Sequence, residues 1–306
     1  MTTMNPDAYH NPVLLHESVD ALINDTNGVY VDATFGGGGH SREVLSRLST
    51  TGKLIGFDQD EDAKANVPAD PRFQFVQANF RFLKNNLRFL GITKIDGMLA
   101  DLGVSSHQFD VPERGFSIRT EGKLDMRMGK TIPLTAGKVI NSYTEEALMR
   151  MFWDFGELKE SRRVSAKIVE ARAEKPIETT RDLITLIEPL SRDPKTNRFL
   201  AKVFQAIRIE VNAEMKALEE LLEQSAELIK PGGKLVVIAY HSLEDRMVKR
   251  FMKNGAIKGP LEKDFYGNPL RPFTPLPGMP IVPEQKEIEK NGRARSAKLR
   301  VATRNE

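Results

Sequence analysis

Five apolar runs of strand length, at residues 29–33, 53–57, 73–76, 95–100 and 234–240, constrain this 306-residue chain more than any other feature. Helical stretches lie between them, and apolar runs alternating with helices make the βαβ rhythm of a mostly parallel sheet in an α/β fold. The first four fall between residues 29 and 100, at spacings that suit right-handed crossovers. The fifth begins only at residue 234, so a segment is inserted after the fourth strand.

That insertion, residues 109–212, reads as mostly helical after a polar, Gly-containing lead. Leu148, Met151 and Phe152, then Val164, Ile168 and Val169, then Leu183, Ile184 and Ile187 recur at the three-to-four spacing of core-facing helices. Thr144, with Ala147 three residues on, lacks a full capping box, whereas Thr180, just before Asp182 and Leu183, starts a helix. A long helical pattern through Met215, Leu218, Leu222, Ala226 and Leu228 stops at Lys230, Pro231, Gly232 and Gly233, and the fifth strand follows. Residues 255–292, rich in Pro and Gly, read as a long loop. Ala297, Leu299 and Val301 then alternate with polar residues as a final strand over 296–302. The expected organisation is a core built from 1–108 and 213–306, with 109–212 as an inserted helical domain.

Composition removes several classes of function. The chain has no cysteine, which excludes disulfides, thiolate zinc sites, iron–sulfur clusters and cysteine nucleophiles. No His and carboxylate spacing forms a zinc-binding helix, so no metal is expected. The longest apolar run, residues 235–240, is too short to span a bilayer, and the N-terminus lacks a signal-peptide pattern. No membrane partner and a cytoplasmic location are therefore expected. Net charge is only +3 but unevenly spread: residues 1–108 hold 9 basic and 13 acidic side chains, 109–212 hold 19 and 16, and 241–306 hold 14 and 8. Positive charge grows away from the N-terminal part, which suits a division between a cofactor site and surfaces that meet a polyanion.

The chemistry begins at residues 29–40, a strand, a turn of four glycines at 36–39 and a helix start. Glycines there let backbone approach a ligand closely. Asp32 is placed to help hold an ammonium group. Asp58, at the end of the second strand, is placed to accept from both hydroxyls of a ribose. Glycine turn and acid together point to a nucleoside without choosing between a nicotinamide dinucleotide and S-adenosylmethionine. The dinucleotide pattern G-x-G-x-x-G is broken because Ser41 holds its last position. Asp101 ends the fourth strand and emerges in the same crevice as the glycines, where it can bind cofactor or take a proton from a substrate amine. His40, at a helix start, suits a binding or structural role better than that of a base. His107 and His241 follow the fourth and fifth strands, toward the crevice; the polar block 241–246 sits where a substrate could enter, and a capped helix start explains Ser242 equally well. Phe80 is placed to flank an adenine ring. Arg114, Arg119, Arg127, Arg162, Arg163, Arg293 and Arg295 are candidate phosphate or stacking contacts for a polyanion.

Seven blocks carry a resemblance that runs nearly end to end: HNPVLLHESV from His10, VDATFGGGGHSRE from Val31, DLGVSSHQFD from Asp101, ERGFSIRTEGKLDMRM from Glu113, KVFQAIRIEVNAEM from Lys202, KPGGKLVVIAYHSLEDRMVKRFM from Lys230 and ARSAKLRVATR from Ala294. Their order and content closely resemble the bacterial 16S rRNA (cytosine-N4)-methyltransferase family. The resemblance implies a Rossmann-like S-adenosylmethionine-dependent methyltransferase core whose helical insertion recognises substrate. It implies methylation of the exocyclic N4 amine of a decoding-centre, P-site cytidine in 16S rRNA, within the small ribosomal subunit. It also implies cofactor contacts from Gly38, Gly39, His40, Asp58, Phe80, Asp101 and Gln108, and a homodimer. Asp101 is the candidate catalytic residue. A non-catalytic RNA-binding assembly factor and a nicotinamide-dependent oxidoreductase are the rival readings; labelled methyl transfer separates the first, and cofactor calorimetry the second.

Overall fold

A computed structural model describes residues 12–192 and 196–306. His10 and Asn11, which open the HNPVLLHESV block, lie outside them, as does the N-terminal stretch that lacks a signal-peptide pattern. The chain divides into two compact units, one holding the chain up to Gly103 together with Lys216–Glu306, the other Val104–Met215.

The first unit is an α/β sheet. Its elements run α1 (Leu15–Leu22), β1 (Val29–Asp32), α2 (Gly39–Arg47), β2 (Lys53–Asp58), β3 (Phe73–Gln77), α3 (Leu83–Phe89) and β4 (Ile95–Asp101). In the second unit follow α4 (Ser106–Asp110), α5 (Ala136–Ser142), α6 (Glu145–Gly156), α7 (Ser161–Glu174), α8 (Thr180–Ile187) and α9 (Thr196–Asn212). Next along the chain, α10 (Glu214–Leu228) starts at the junction. The first unit is completed by β5 (Ile229–Ala239), α11 (Ser242–Asn254), β6 (Phe273–Pro275), α12 (Gln285–Lys290) and β7 (Lys298–Arg304).

Among the described residues seven strands pair in the order β3-β2-β1-β4-β5-β7-β6. The β3 to β5 block is parallel throughout, and β7 runs antiparallel between β5 and β6. The inner parallel strands are apolar almost without interruption because both of their faces are covered. Val19 and Leu22 of α1 and Val44 and Leu45 of α2 share a buried cluster with Tyr30, Leu54, Leu99, Leu299 and Val301. Strand order turns back between β1 and β4, and in open α/β sheets the crevice at such a switch, outside the strands' carboxyl ends, is where ligands bind.

Four readings of the sequence are corrected here. Residues 230–233 do not precede the fifth strand but lie within it: pairing jumps from Ile95↔Ile229 to Gly97↔Lys234, and the intervening residues bulge out. Lys230 Nζ reaches Asp96 Oδ1 at 2.9 Å across that bulge. The stretch 255–292 contains β6 and α12; β6 is held by backbone pairing with β7 and by burial of Phe273, which no alternation announces. The last strand begins at Lys298, since the residues before it, Gly292–Ser296, form a 3-10 turn capped by Asn291. Thr179, not Thr180, caps α8, because Asp182 three residues on completes a capping box with it.

The second unit packs its helices around Leu148, Phe152, Ile168, Ile187, Val203 and Ile207. Asn212, buried at the end of α9, accepts from Met128 N at 2.7 Å and donates to Met126 O at 2.7 Å. Among the described residues no helix is long and apolar enough to cross a membrane.

Candidate active site

The turn from β1 to α2 owes its shape to glycine. Gly38 caps α2 in the left-handed region at φ 72°. A Cβ on Gly39 would sit 2.1 Å from Pro12 Cγ, so only a bare backbone fits there.

Three carboxylates stand at the carboxyl ends of β1, β2 and β4. Asp32 is buried, its Oδ2 accepting from Ser41 Oγ at 2.7 Å and its Oδ1 from Thr34 N at 3.1 Å. Both its oxygens thus organise the glycine turn. Asp58 Oδ2 accepts from Gly36 N at 2.7 Å and Oδ1 from Asp60 N at 2.8 Å. Each of those oxygens keeps a second lone pair for a hydroxyl. The backbone N–H of Asp101 donates to Thr34 Oγ1 at 2.6 Å, and its Oδ1 accepts from Tyr240 OH at 2.8 Å.

Burial dominates the electrostatics of this group. It pushes Asp32 and Asp58 up to about 6, against the hydrogen bonds that favour their ionised forms. It pushes Asp101 up to about 7, with the Tyr240 bond opposing and the charges of Asp32 and Glu244 adding to the rise. His40 is buried and lowered to about 4, so its imidazole is neutral near pH 7. Its Nε2 lies 3.2 Å from the Val13 carbonyl, which can only accept; the ring hydrogen therefore sits on Nε2. That leaves the bare Nδ1 facing Asp101 Oδ2 at 3.8 Å, too far for a hydrogen bond and without a charge to offer. Among the described residues no Lys or Arg lies within ion-pair distance of Asp32, Asp58 or Asp101. Buried carboxylates without a cation are costly, and a positively charged ligand compensates them.

The other expected site residues fall as follows. Phe80 begins a 3-10 turn, half-buried; the cap of that turn, Asn79, donates through Nδ2 to Gln59 Oε1 at 2.8 Å, which ties it to the end of β2 beside Asp58. Gly38, Gly39, His40, Asp58, Phe80 and Asp101 all belong to the first unit, whereas Gln108 belongs to the second, in a capping box with Ser105 at the start of α4. His107 lies in the same short helix. His241 itself caps α11 in a box with Glu244, and Ser242, read as the cap, is the first helical residue. Arg127 is committed internally, to Asp125 Oδ2 at 2.7 Å and to the carbonyls of Lys130 and Ile132. Arg114 likewise donates to the carbonyls of Arg127 and Met128. Reading the sequence missed Tyr240, which follows β5; the signal was its place at a strand end, two residues past the Asp101↔Ile238 pair.

Strand order, glycine turn and three cation-free acids at one crevice define a Rossmann-like α/β protein built for a nucleoside cofactor that carries positive charge. The model of the MraW methylase family matches residues 7–305. A protein of Flavobacterium johnsoniae named Ribosomal RNA small subunit methyltransferase H is 56% identical over 98% of this chain and 98% of its own length. A protein of the same name from Bacteroides fragilis is 56% identical over 96% of this chain and 97% of its own. Among solved structures, an rRNA methylase from Streptococcus thermophilus aligns over the whole of both chains at 13% identity with a TM-score of 0.40, a likeness that carries no weight here. The chain belongs to the MraW methylase family and is an S-adenosylmethionine-dependent methyltransferase.

Proposed function

We propose that the chain methylates the exocyclic N4 amine of the decoding-centre, P-site cytidine of 16S rRNA, in the cytoplasm and within the small ribosomal subunit. A second copy of the chain as partner, and substrate recognition by the helical unit at 109–212, belong to the same proposal. The curated relatives' name supports an rRNA substrate, and the uncompensated carboxylates carry the cofactor assignment.

When bound, S-adenosylmethionine supplies a sulfonium-activated methyl group. The residues present fit it: Asp58 offers a free lone pair on each oxygen to the ribose hydroxyls, Gly38 and Gly39 open α2 at the turn after β1, and Phe80 follows Asn79, which is tied to the end of β2. His40, neutral and fixed by Val13, shapes the crevice without adding charge. Gln108 completes the proposed cofactor set. A cytosine amine is a poor nucleophile, because its lone pair is delocalised into the ring, so it needs an acceptor for its proton. Asp101, near 7, is suited to accept or orient that proton at neutral pH.

The test is incubation of small subunits with methyl-labelled S-adenosylmethionine, followed by mass spectrometry of the 16S rRNA. One methyl on N4 of a single cytidine is expected, and Asp101→Asn is expected to lose turnover. Label on another base, or no label, sinks the target assignment; normal turnover by Asp101→Asn with intact cofactor binding removes its proton role.

A further inference from the structure

After the crevice, α11 carries a line of positive charge. Arg246, Lys249, Arg250 and Lys253 are all exposed, at spacings that place them on one face, while Val248, Phe251 and Met252 are buried on the other. With 13 residues the helix is about 20 Å long. It ends at Gly255, and the chain passes Lys258 into a small hairpin closed by the Lys263↔Pro269 bridge and by Leu270 N donating to Glu262 O at 2.8 Å. Arg271 Nη1 donates to Lys253 O at 3.1 Å, fixing the hairpin base to the end of α11.

The hairpin tip is tightly built. Asp264 Oδ1 accepts from Tyr266 N at 2.9 Å and from Asn268 N at 2.8 Å, and its Oδ2 accepts from Asn268 Nδ2 at 2.9 Å. Yet this tip presents Phe265 and Tyr266 at 97% and 85% exposure, their ring centroids 5.5 Å apart at 86°. Two adjacent rings held in water by an ordered turn, on a hairpin whose base is fixed to the end of a charged helix, mark a contact surface rather than scattered apolar residues. Among the described residues Lys249, Arg250, Lys253 and Lys258 have no acid within ion-pair distance. On the helix, Asp245 is taken up by Arg300 and Lys298, and in the hairpin Asp264 is engaged in the turn.

We propose that the α11 stripe and the hairpin tip form a docking surface for a single-stranded segment of RNA, with phosphates along the cations and bases stacked on Phe265 and Tyr266. This rests on the reading of the substrate as RNA. The charges form a line along one helix face, which matches a polynucleotide backbone; an anionic bilayer is a plane and asks for a broad patch. The hairpin end of this surface stands away from the chemistry. Along β7, Lys298 pairs with Ala239 and Arg304 pairs with Phe273, so the hairpin base lies toward the amino ends of the parallel strands, opposite the crevice. It therefore serves capture of substrate, not transfer.

The test is fluorescence anisotropy of a labelled single-stranded RNA of about ten nucleotides, with Kd and its salt dependence measured for the full chain. Phe265→Ala with Tyr266→Ala is expected to raise Kd about tenfold or more. Lys249→Glu with Lys253→Glu is expected to raise it too, and to flatten the log–log salt slope by about 1 for each phosphate left without its lysine. On small subunits both variants raise KM while kcat and S-adenosylmethionine affinity stay as in the parent, which also shows that they fold. Unchanged RNA affinity in both variants overturns the proposal. So does a loss confined to phosphatidylserine vesicles, which assigns the surface to a membrane. Absence of methyl transfer to rRNA by the parent sinks the functional reading instead, and the anisotropy result still decides the surface.

Discussion

The hydroxyl of Tyr240 donates to Oδ1 of Asp101 at 2.8 Å, joining the residue after β5 to the last residue of β4. Burial and the neighbouring charge of Asp101 hold the phenol well above its ordinary pKa, so it stays a donor. The bond favours the ionised form of Asp101, opposing burial, Asp32 on β1 and Glu244 on α11, while His40 on α2 contributes no charge.

Tyr240→Phe removes that donor and lets the Asp101 pKa rise from about 7. The acidic limb of the pH–rate profile is expected to move to higher pH, and turnover at neutral pH to fall about tenfold. Profiles of kcat beside cofactor calorimetry check it. An unmoved limb with unchanged cofactor affinity shows that the bond holds nothing the reaction uses.

Stability should depend on pH in an unusual sense between about pH 8 and about pH 5.5. Asp32, Asp58 and Asp101 are raised above the ordinary 3.8, so each binds its proton more tightly folded than unfolded. Their ionised forms destabilise the fold above pH 7, and the penalty fades as pH falls through 7 and 6. His40, lowered from 6.5 to about 4, acts oppositely, since the unfolded chain takes up its proton first. Three carboxylates against one imidazole leave a net gain on acidification. Thermal unfolding is expected to show a higher Tm at the lower pH, and a larger rise on adding S-adenosylmethionine at the higher, where the anions await a cation. Equal cofactor effects at both pH values contradict this.

Gly39→Ala drives a methyl into the Pro12 ring, 2.1 Å from Cγ, and a proline ring has no rotamer to yield. A loss of about 1–3 kcal/mol is expected in urea unfolding, together with weaker cofactor binding. A wild-type unfolding midpoint would show that Pro12 moves freely.

Asp245→Ala leaves Arg300 buried without its carboxylate. Arg300 Nε donates to Asp245 Oδ1 at 2.7 Å and Lys298 Nζ to Oδ2 at 3.2 Å, linking α11 to β7. Removing one partner of a buried pair costs about 3–5 kcal/mol. Replacing both Asp245 and Arg300 by apolar residues is expected to recover most of it. A double variant no better than the single assigns the loss to packing.

Legibility followed burial. Strands β1 to β4 were readable to within one residue at each end; β1, β2 and β4, covered on both faces, show as apolar runs between turns, and the edge strand β3 shows by its alternation of Phe73 and Phe75 with Gln74. β6 was not, since its three residues end in Pro275, follow Pro272 and take their place from β7. The acids Asp32, Asp58 and Asp101 stood out at strand ends. Their shared lack of a cation did not, because it depends on which side chains stay away in space. Tyr240 read as the tail of an apolar run; only the register across β4 and β5 shows what its hydroxyl meets.

The placement of β7 between β5 and β6 has a consequence for how the sheet is assembled during synthesis. When β4 has emerged from the ribosome its outer edge is bare, and the strands that cover it are not yet translated. The helical segment that follows is contiguous and is complete before any of them. The nascent sheet thus carries an open edge through more than a hundred residues of translation, and a chain arrested before β7 exposes the flank of β5 to any strand that will pair with it.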